Sequence, residues 1–175
     1  MTTPTFILEL REHIGHAPLW LMGACAYIVD DNGLVLLEQR ADTGKWALVS
    51  GIIEPGEQPA DTIAREAKEE TGVDVIVTDL ACVEADDHVI TYPNGDRTQY
   101  LDHLFVAEVD PDGCSEPCIG DDESTSVGWF DPDELPEPMT PSSRKRIEAA
   151  RDFLRRRDDG DARASFTFRG TTVHR

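Results

Sequence analysis

The sequence predicts a mixed α/β domain, and three observations carry that reading. β-prone runs stand on both sides of one strong helical segment, a second helical segment lies near the C-terminus, and no linker or repeat divides the 175 residues. A chain of this length buries most of a core without disulfides or structural metal. One domain over residues 1–175 is therefore expected, with 1–18 as an N-terminal arm, 19–157 as the core and 158–175 as a tail.

Residues 5–14 read as a short helix or an irregular arm closed by Gly15. ACAYIVDDNGLVLLEQR then places two β-prone runs around Asp30, Asp31, Asn32 and Gly33, so residues 24–29 should pair with 34–39 in a hairpin. ADTGKWALVSG is a loop running into a short strand around Trp46 to Val49. Punctuation sets the limits of the next helix: Pro59 suits its first position, Asp61 its N-terminal turn and Gly72 its C-terminal cap. About 13 helical residues, roughly 20 Å, lie between them.

VDVIVTDLACVEA, HVITY and RTQYLDHLFVAEV continue the strand pattern, with His88 and His103 read as ordinary sheet residues. Asn94 and Gly95 make TYPNGD a turn. Asp110 to Glu123 form a polar loop, and SVGWF is a short strand. In SSRKRIEAARDFLRRR, Ile147, Ala150 and Leu154 recur at helical spacing, with Ser142 or Ser143 as the cap. The tail, DDGDARASFTFRGTTVHR, carries no clear pattern, and partial disorder is expected there.

With 35 acidic and 16 basic residues the formal charge is −19, which argues against a basic surface gripping nucleic acid. A phosphate ligand would need cations to mediate its binding. Solubility, or a salty or acidic habitat, accounts equally well for the total but not for where the charges cluster. The N-terminus lacks a basic segment followed by an apolar run, as a signal peptide requires. The longest apolar run, Ala17 to Val29, is shorter than the roughly 18 residues of a membrane span and holds Pro18 and Gly23. No membrane partner and a cytoplasmic location are the expectation.

Cys25 and Cys82 sit in strand-like runs and read as buried thiols. Cys114 and Cys118 lie in the polar loop, where a small disulfide or soft-metal site is the minority reading, since no nearby His completes a zinc pattern.

Residues 51–73, GIIEPGEQPADTIAREAKEETGV, hold six acidic and two basic side chains. On a wheel at about 100° per residue, Ala60, Ile63, Ala64 and Ala67 form a narrow apolar stripe. Glu66, Glu69 and Glu70 share the adjacent arc, while Asp61, Arg65 and Lys68 take the opposite side. Like charges three and four apart on a helix repel, so such a rim calls for cations. Hard divalent ions with oxygen ligands are the simplest occupant, and the small alanines bring a carbonyl near Gly51 within their reach. A solvated Glu-rich face is the bland alternative, favoured by composition alone.

The order of the whole segment overturns it. Gly51, Glu57, Arg65, Glu66, Ala67, Glu69, Glu70, Gly72 and Val73 match the pattern G-x5-E-x7-R-E-U-x-E-E-x-G-U, with U aliphatic. The chain thus resembles the Nudix hydrolases, over roughly residues 20–137 once the Trp46 approach and VGWFDPDELP are included. The resemblance implies an α/β/α sandwich with a mixed sheet and a loop-helix-loop metal site. It implies hydrolysis of a nucleoside diphosphate linked to another moiety, with Mg²⁺, or Mn²⁺ in its place.

By resemblance, Glu66, Glu69 and Glu70 hold the ions with the Gly51 carbonyl, and Glu57 pairs with Arg65 to orient the helix. Glu66 or Glu70 serves the attacking water, or the base comes from the later loop with Asp121, Asp122 and Glu123, of which Glu123 is a further candidate metal ligand. Arg40, Lys45 and Arg97 are candidate substrate contacts, with Tyr92 and Tyr100 offering a ring for stacking. Val49 and Ser50 stand where many members carry Pro-Gly, and Ala67 is a small residue for its position.

Small-molecule nucleotides are the expected partners, with ADP-ribose-like compounds preferred on family frequency. A nucleotide sugar, an oxidised nucleoside triphosphate, a dinucleoside polyphosphate and a dinucleotide cofactor are also compatible. A non-catalytic nucleotide sensor is the competing class. A homodimer would use Phe6 to Leu10 and Pro18 to Met22.

Overall fold

The computed structural model describes residues 3–174. Its elements run α1 (Thr5–Ile14), β1 (Leu19–Val29), β2 (Val35–Arg40), β3 (Trp46–Ala47), β4 (Ser50–Ile52), α2 (Pro59–Thr71), β5 (Val75–Ala85) and β6 (Ile90–Thr91). They continue with β7 (Arg97–Val109), β8 (Ser124–Phe130), α3 (Pro141–Asp158), β9 (Ser165–Phe168) and β10 (Thr171–Val173). The strands form a mixed sheet in the order β10-β9-β5-β7-β1-β2-β3, with β4 paired to β1, β6 to β7 and β8 to β2.

The long parallel ladder between β1 and β7, from Leu19↔Thr98 to Val29↔Glu108, is its spine. Alternation along these strands makes two apolar faces. Ala24, Ala26, Ile28, Leu36, Phe105 and Ala107 pack with Ile63 and Ala67 of α2. Cys25, Tyr27, Val35, Leu37, Leu104 and Val106 pack with Ile147, Ala150 and Phe153 of α3. On the α3 side, Ile7 of α1 closes a smaller cluster with Leu21 and Ile52. The expected α/β/α layering is therefore present.

The turn between β1 and β2 forms as expected, with Gly33 at φ 78° donating its N–H to the Asp30 carbonyl at 3.0 Å. The two strands do not pair along their length, however; their register is the single pair Val29↔Val35. Beyond it β4 takes the edge of β1, through Gly23↔Ile52, Ala24↔Gly51 and Cys25↔Ser50, while β2 pairs with β8 from Val35↔Phe130 onward. Local propensity specifies the turn, and long-range partners then compete for the edges.

Three smaller differences stand beside it. The cap of α3 is Thr140, whose hydroxyl accepts the Ser143 N–H at 3.3 Å, rather than Ser142 or Ser143. Ser143 is instead turned inward, its Oγ accepting the Leu48 N–H at 3.1 Å. His88 lies in a bend beyond β5, its ring against the Asp87 carboxylate at 2.7 Å. The C-terminal residues form the β9–β10 hairpin, which extends the sheet through the parallel pairs Cys82↔Ser165 and Val83↔Phe166.

The four cysteines are free thiols, with Cys25 buried and Cys114 and Cys118 exposed. No described helix is long and apolar enough to cross a membrane.

Phe153 is fully buried between α3 and the sheet, whereas Phe168 in the edge hairpin is 57 % exposed. Phe153→Ala should cost about 3–5 kcal/mol in denaturant unfolding. Phe168→Ala should change stability by no more than about 0.5 kcal/mol. Equal losses would show that α3 does not anchor the second layer.

Candidate active site

Helix α2 begins and ends where its residues dictate. Pro59 occupies the first turn, Asp61 faces the positive end of the helix dipole, and Gly72 adopts φ 72°, its N–H reaching the Lys68 carbonyl at 3.1 Å. The helix lies closer to the sheet than the wheel implies: Thr62, Ile63, Glu66, Ala67, Glu70 and Thr71 are all buried. Two of the three clustered glutamates therefore point into protein, and Glu69 stays at the surface.

Gly51 makes room for this. A Cβ at residue 51 would stand 1.9 Å from Glu66 Oε1 and 2.5 Å from its Cγ, so only glycine lets the Glu66 side chain lie against β4. The β1–β4 ladder fixes that backbone opposite Ala24.

Arg65 does not project away to solvent. Its Nε and Nη2 donate to Glu57 Oε1 and Oε2 at 2.8 and 3.1 Å, a forked pair, while Nη1 donates to Glu66 at 2.9 Å and Glu69 at 3.1 Å. Glu57 also accepts the Glu54 N–H at 3.1 Å. These donors hold the Glu57 carboxyl down to about 2, Arg65 being the main cause. The orienting pair expected from the sequence is thus formed.

Burial acts the other way on the inner acids. It pushes the Glu66 carboxyl up to about 7 against the opposing charge of Arg65. Glu70 rises to about 9, first through burial and then through the nearby charges of Glu38 and Glu66. Glu38, in β2, is only 2 % exposed and accepts the hydroxyl proton of Ser124; burial raises its carboxyl too. Sequence reasoning missed Glu38. Its one signal was an acid ending the apolar run VLL, on the same strand face as Leu36.

The loop between β7 and β8 is tied to the end of α2. Cys118 and Gly120 donate backbone N–H groups to the Thr71 and Glu70 carbonyls at 2.8 and 3.2 Å, and Glu123 accepts the Ala41 N–H at 2.7 Å. Asp121 lies close enough for its charge to raise both Glu38 and Glu70. Arg40 is half-buried on the same side, its guanidinium bound to Asp42 at 2.9 and 3.0 Å and influenced by Glu38 and Glu70.

Lys45 is exposed in the following loop. Arg97 stands apart from this group: at the start of β7 it donates to the His16 carbonyl at 3.0 Å and accepts at its own carbonyl from Arg11. Tyr92 and Tyr100 join hydroxyls at 3.0 Å in the adjoining β6–β7 hairpin. His103 is tied by Nδ1 to the Gly23 carbonyl at 3.0 Å.

Among the described residues no three Asp, Glu, His or Cys side chains already surround one point as a metal would require. The guanidinium of Arg65 lies between Glu57, Glu66 and Glu69 instead. The donor set nonetheless fits a hard cation. Its members are carboxylates, and the buried Glu70 Oε2 has no hydrogen-bond partner among the described residues. A cation there would satisfy that oxygen and hold Glu66 and Glu70 ionised.

The comparisons with known proteins bear on the family. A model of the NUDIX domain matches residues 20–150. A MutT-like protein of Streptomyces ambofaciens is 35% identical over 122 residues, 70% of this chain and 71% of that one. The nucleoside triphosphatase NudI of Salmonella schwarzengrund is 32% identical over 116 residues, covering 62% of this chain and 80% of its own. Among solved structures, a MutT NUDIX hydrolase from Burkholderia pseudomallei superposes with a TM-score of 0.61 at 29% identity, over 75% of this chain and 98% of that one. An ADP-ribose pyrophosphatase from Streptococcus suis gives 0.55 at 25%, over 75% and 92%. With the box residues gathered on α2, its flanking loops and β4, and the family model spanning most of the sequence, the chain belongs to the Nudix hydrolase family.

Proposed function

We propose that the protein hydrolyses a phosphoanhydride in a nucleoside diphosphate linked to another group, with Mg²⁺ as its cation and Mn²⁺ as a substitute. The observation that carries this is the burial of Glu66 and Glu70 together, with one Glu70 oxygen lacking a hydrogen-bond partner among the described residues. Burying two like charges side by side is costly, and a divalent cation offsets that cost.

When bound, Mg²⁺ would neutralise nonbridging phosphate oxygens and acidify a water. Glu66, Glu69, Glu70 and the Gly51 carbonyl would hold it, with Glu123 from the loop. The Glu57–Arg65 fork fixes the helix rotation that aims these groups. A carboxylate of this set, or of residues 121–123, takes the proton of the attacking water.

For substrate, Arg40 and Lys45 are the cations offered on this side. Arg97, committed to His16, is not included. The named activities of the relatives, nucleoside triphosphatase and ADP-ribose pyrophosphatase, share a nucleoside next to a phosphoanhydride. We therefore place nucleoside triphosphates beside ADP-ribose as candidate substrates.

The test is a panel of triphosphates, ADP-ribose, nucleotide sugars and dinucleoside polyphosphates, incubated with and without Mg²⁺ and read by product mass. Metal-dependent cleavage is expected, reduced roughly 100-fold or more in Glu70→Gln while nucleotide binding persists. Binding without cleavage anywhere on the panel would replace the enzyme with a nucleotide sensor.

A second expectation concerns stability without metal. Glu66 and Glu70 hold protons in the fold that they release when unfolded, because their carboxyls rise from 4.5 to about 7 and about 9. The stability they contribute is complete below about pH 4.5 and is lost as pH rises through about 7 and about 9. Melting temperature in EDTA should fall across that window, and Mg²⁺ should flatten the fall. A profile unchanged by Mg²⁺ would remove the metal from these two side chains.

A further inference from the structure

Three carboxylates are buried among the described residues, and one of them, Glu38, lies outside the α2 motif. Its position follows from the packing. Leu36 belongs to the same apolar cluster as Ile63 and Ala67 of α2. Glu38 follows Leu36 by two residues on the same strand face, and Glu70 follows Ala67 by three on the same helix face. Both are 2 % exposed.

The donors around Glu38 do not cancel its charge. The Ser124 hydroxyl gives a neutral hydrogen bond to Oε2. The nearby guanidinium of Arg40 is forked onto Asp42. Glu70 Oε2 is buried without a hydrogen-bond partner among the described residues, and the Glu38 charge is the largest neighbouring charge acting on Glu70. Asp121 adds a further negative charge from the loop.

Two buried acids near enough for the charge of one to act on the other, one with an unsatisfied oxygen, form an arrangement that a cation completes. We propose that Glu38 is a ligand of a divalent cation shared with Glu70, so that the metal bed extends from α2 onto strand β2. This rests on the metal-dependent reading above and adds a residue to it. Ser124 is then a positioning residue, holding one Glu38 oxygen so that the other faces α2.

The test titrates Mn²⁺ alone into the whole chain, without nucleotide, and counts free and bound ion by electron paramagnetic resonance and calorimetry. Glu38→Gln keeps the shape and an acceptor for Ser124 while removing the charge, and Glu38→Met serves if the amide variant folds poorly. In either variant one class of Mn²⁺ sites should weaken at least tenfold or disappear. The metal-free variant should melt at a higher temperature than the wild type, and its rise in melting temperature with Mn²⁺ should be smaller. A variant isotherm matching the wild type would overturn the role of Glu38 and leave the α2 site standing. A wild-type chain that takes up no Mn²⁺ would overturn the metal reading itself, and this ligand with it.

Discussion

The fold depends on one close approach, that of the Glu66 side chain to the backbone of Gly51. A helix can lay a carboxylate against a strand only where the strand offers no side chain of its own. Here the space a Cβ would need is filled by Glu66 atoms. That contact sets the depth of α2, and the depth decides which glutamates are buried. Glu66 and Glu70 go in with Ile63 and Ala67, while Glu69, one position off the stripe, stays out. The β1–β4 ladder is the reason the contact is rigid: residues 50–52 are paired to 23–25 on the strand that also carries the parallel spine.

Holding acids in such a place lowers stability, and the surroundings show how the fold tolerates it. Arg65 reaches three carboxylates at once, Glu57 by a fork and Glu66 and Glu69 by its third nitrogen. It serves as a resident cation at the outer edge of the site. The inner edge, at Glu70 and Glu38, receives a hydroxyl from Ser124, while the nearby Arg40 guanidinium is forked onto Asp42. The site therefore grades from a satisfied rim to an unsatisfied interior. That gradient explains why the inner carboxyls rise while Glu57 falls.

Much of this was legible in the sequence because it is encoded locally. Pro59, Asp61 and Gly72 set the limits of α2, Gly33 and Gly95 marked turns, and the spacing of the glutamates announced a shared face. What escaped depended on distant partners. The edge of β1 went to β4 instead of β2 because pairing is decided between segments some 25 residues apart. Ser143 lost the cap to Thr140 because a buried backbone N–H at Leu48 needed its hydroxyl. The hairpin after α3 has little apolar patterning of its own, and it orders by adding to β5. Glu38 looked like the polar end of a strand; its burial depends on β2 pairing with β8, which brings the Ser124 hydroxyl onto its carboxylate.

The acidic total acquires a meaning once the cations are located. Lys145, Arg146 and Arg157 of α3 bind Glu84, Asp102 and Asp79 of the sheet, and Arg144 and Arg151 bind Glu137 and Asp133 of the preceding loop. These pairs fasten the layer opposite α2, so their positive charge is spent far from the glutamates. On the α2 side Arg65 is held by carboxylates, Lys68 by Asp74 and Arg40 by Asp42. A bare polyphosphate approaching that side meets net negative charge, whereas one that brings divalent ions meets oxygen ligands short of a cation. Under the proposed function, this distribution of charge would favour the metal-bound form of an anionic substrate before any base or sugar is recognised.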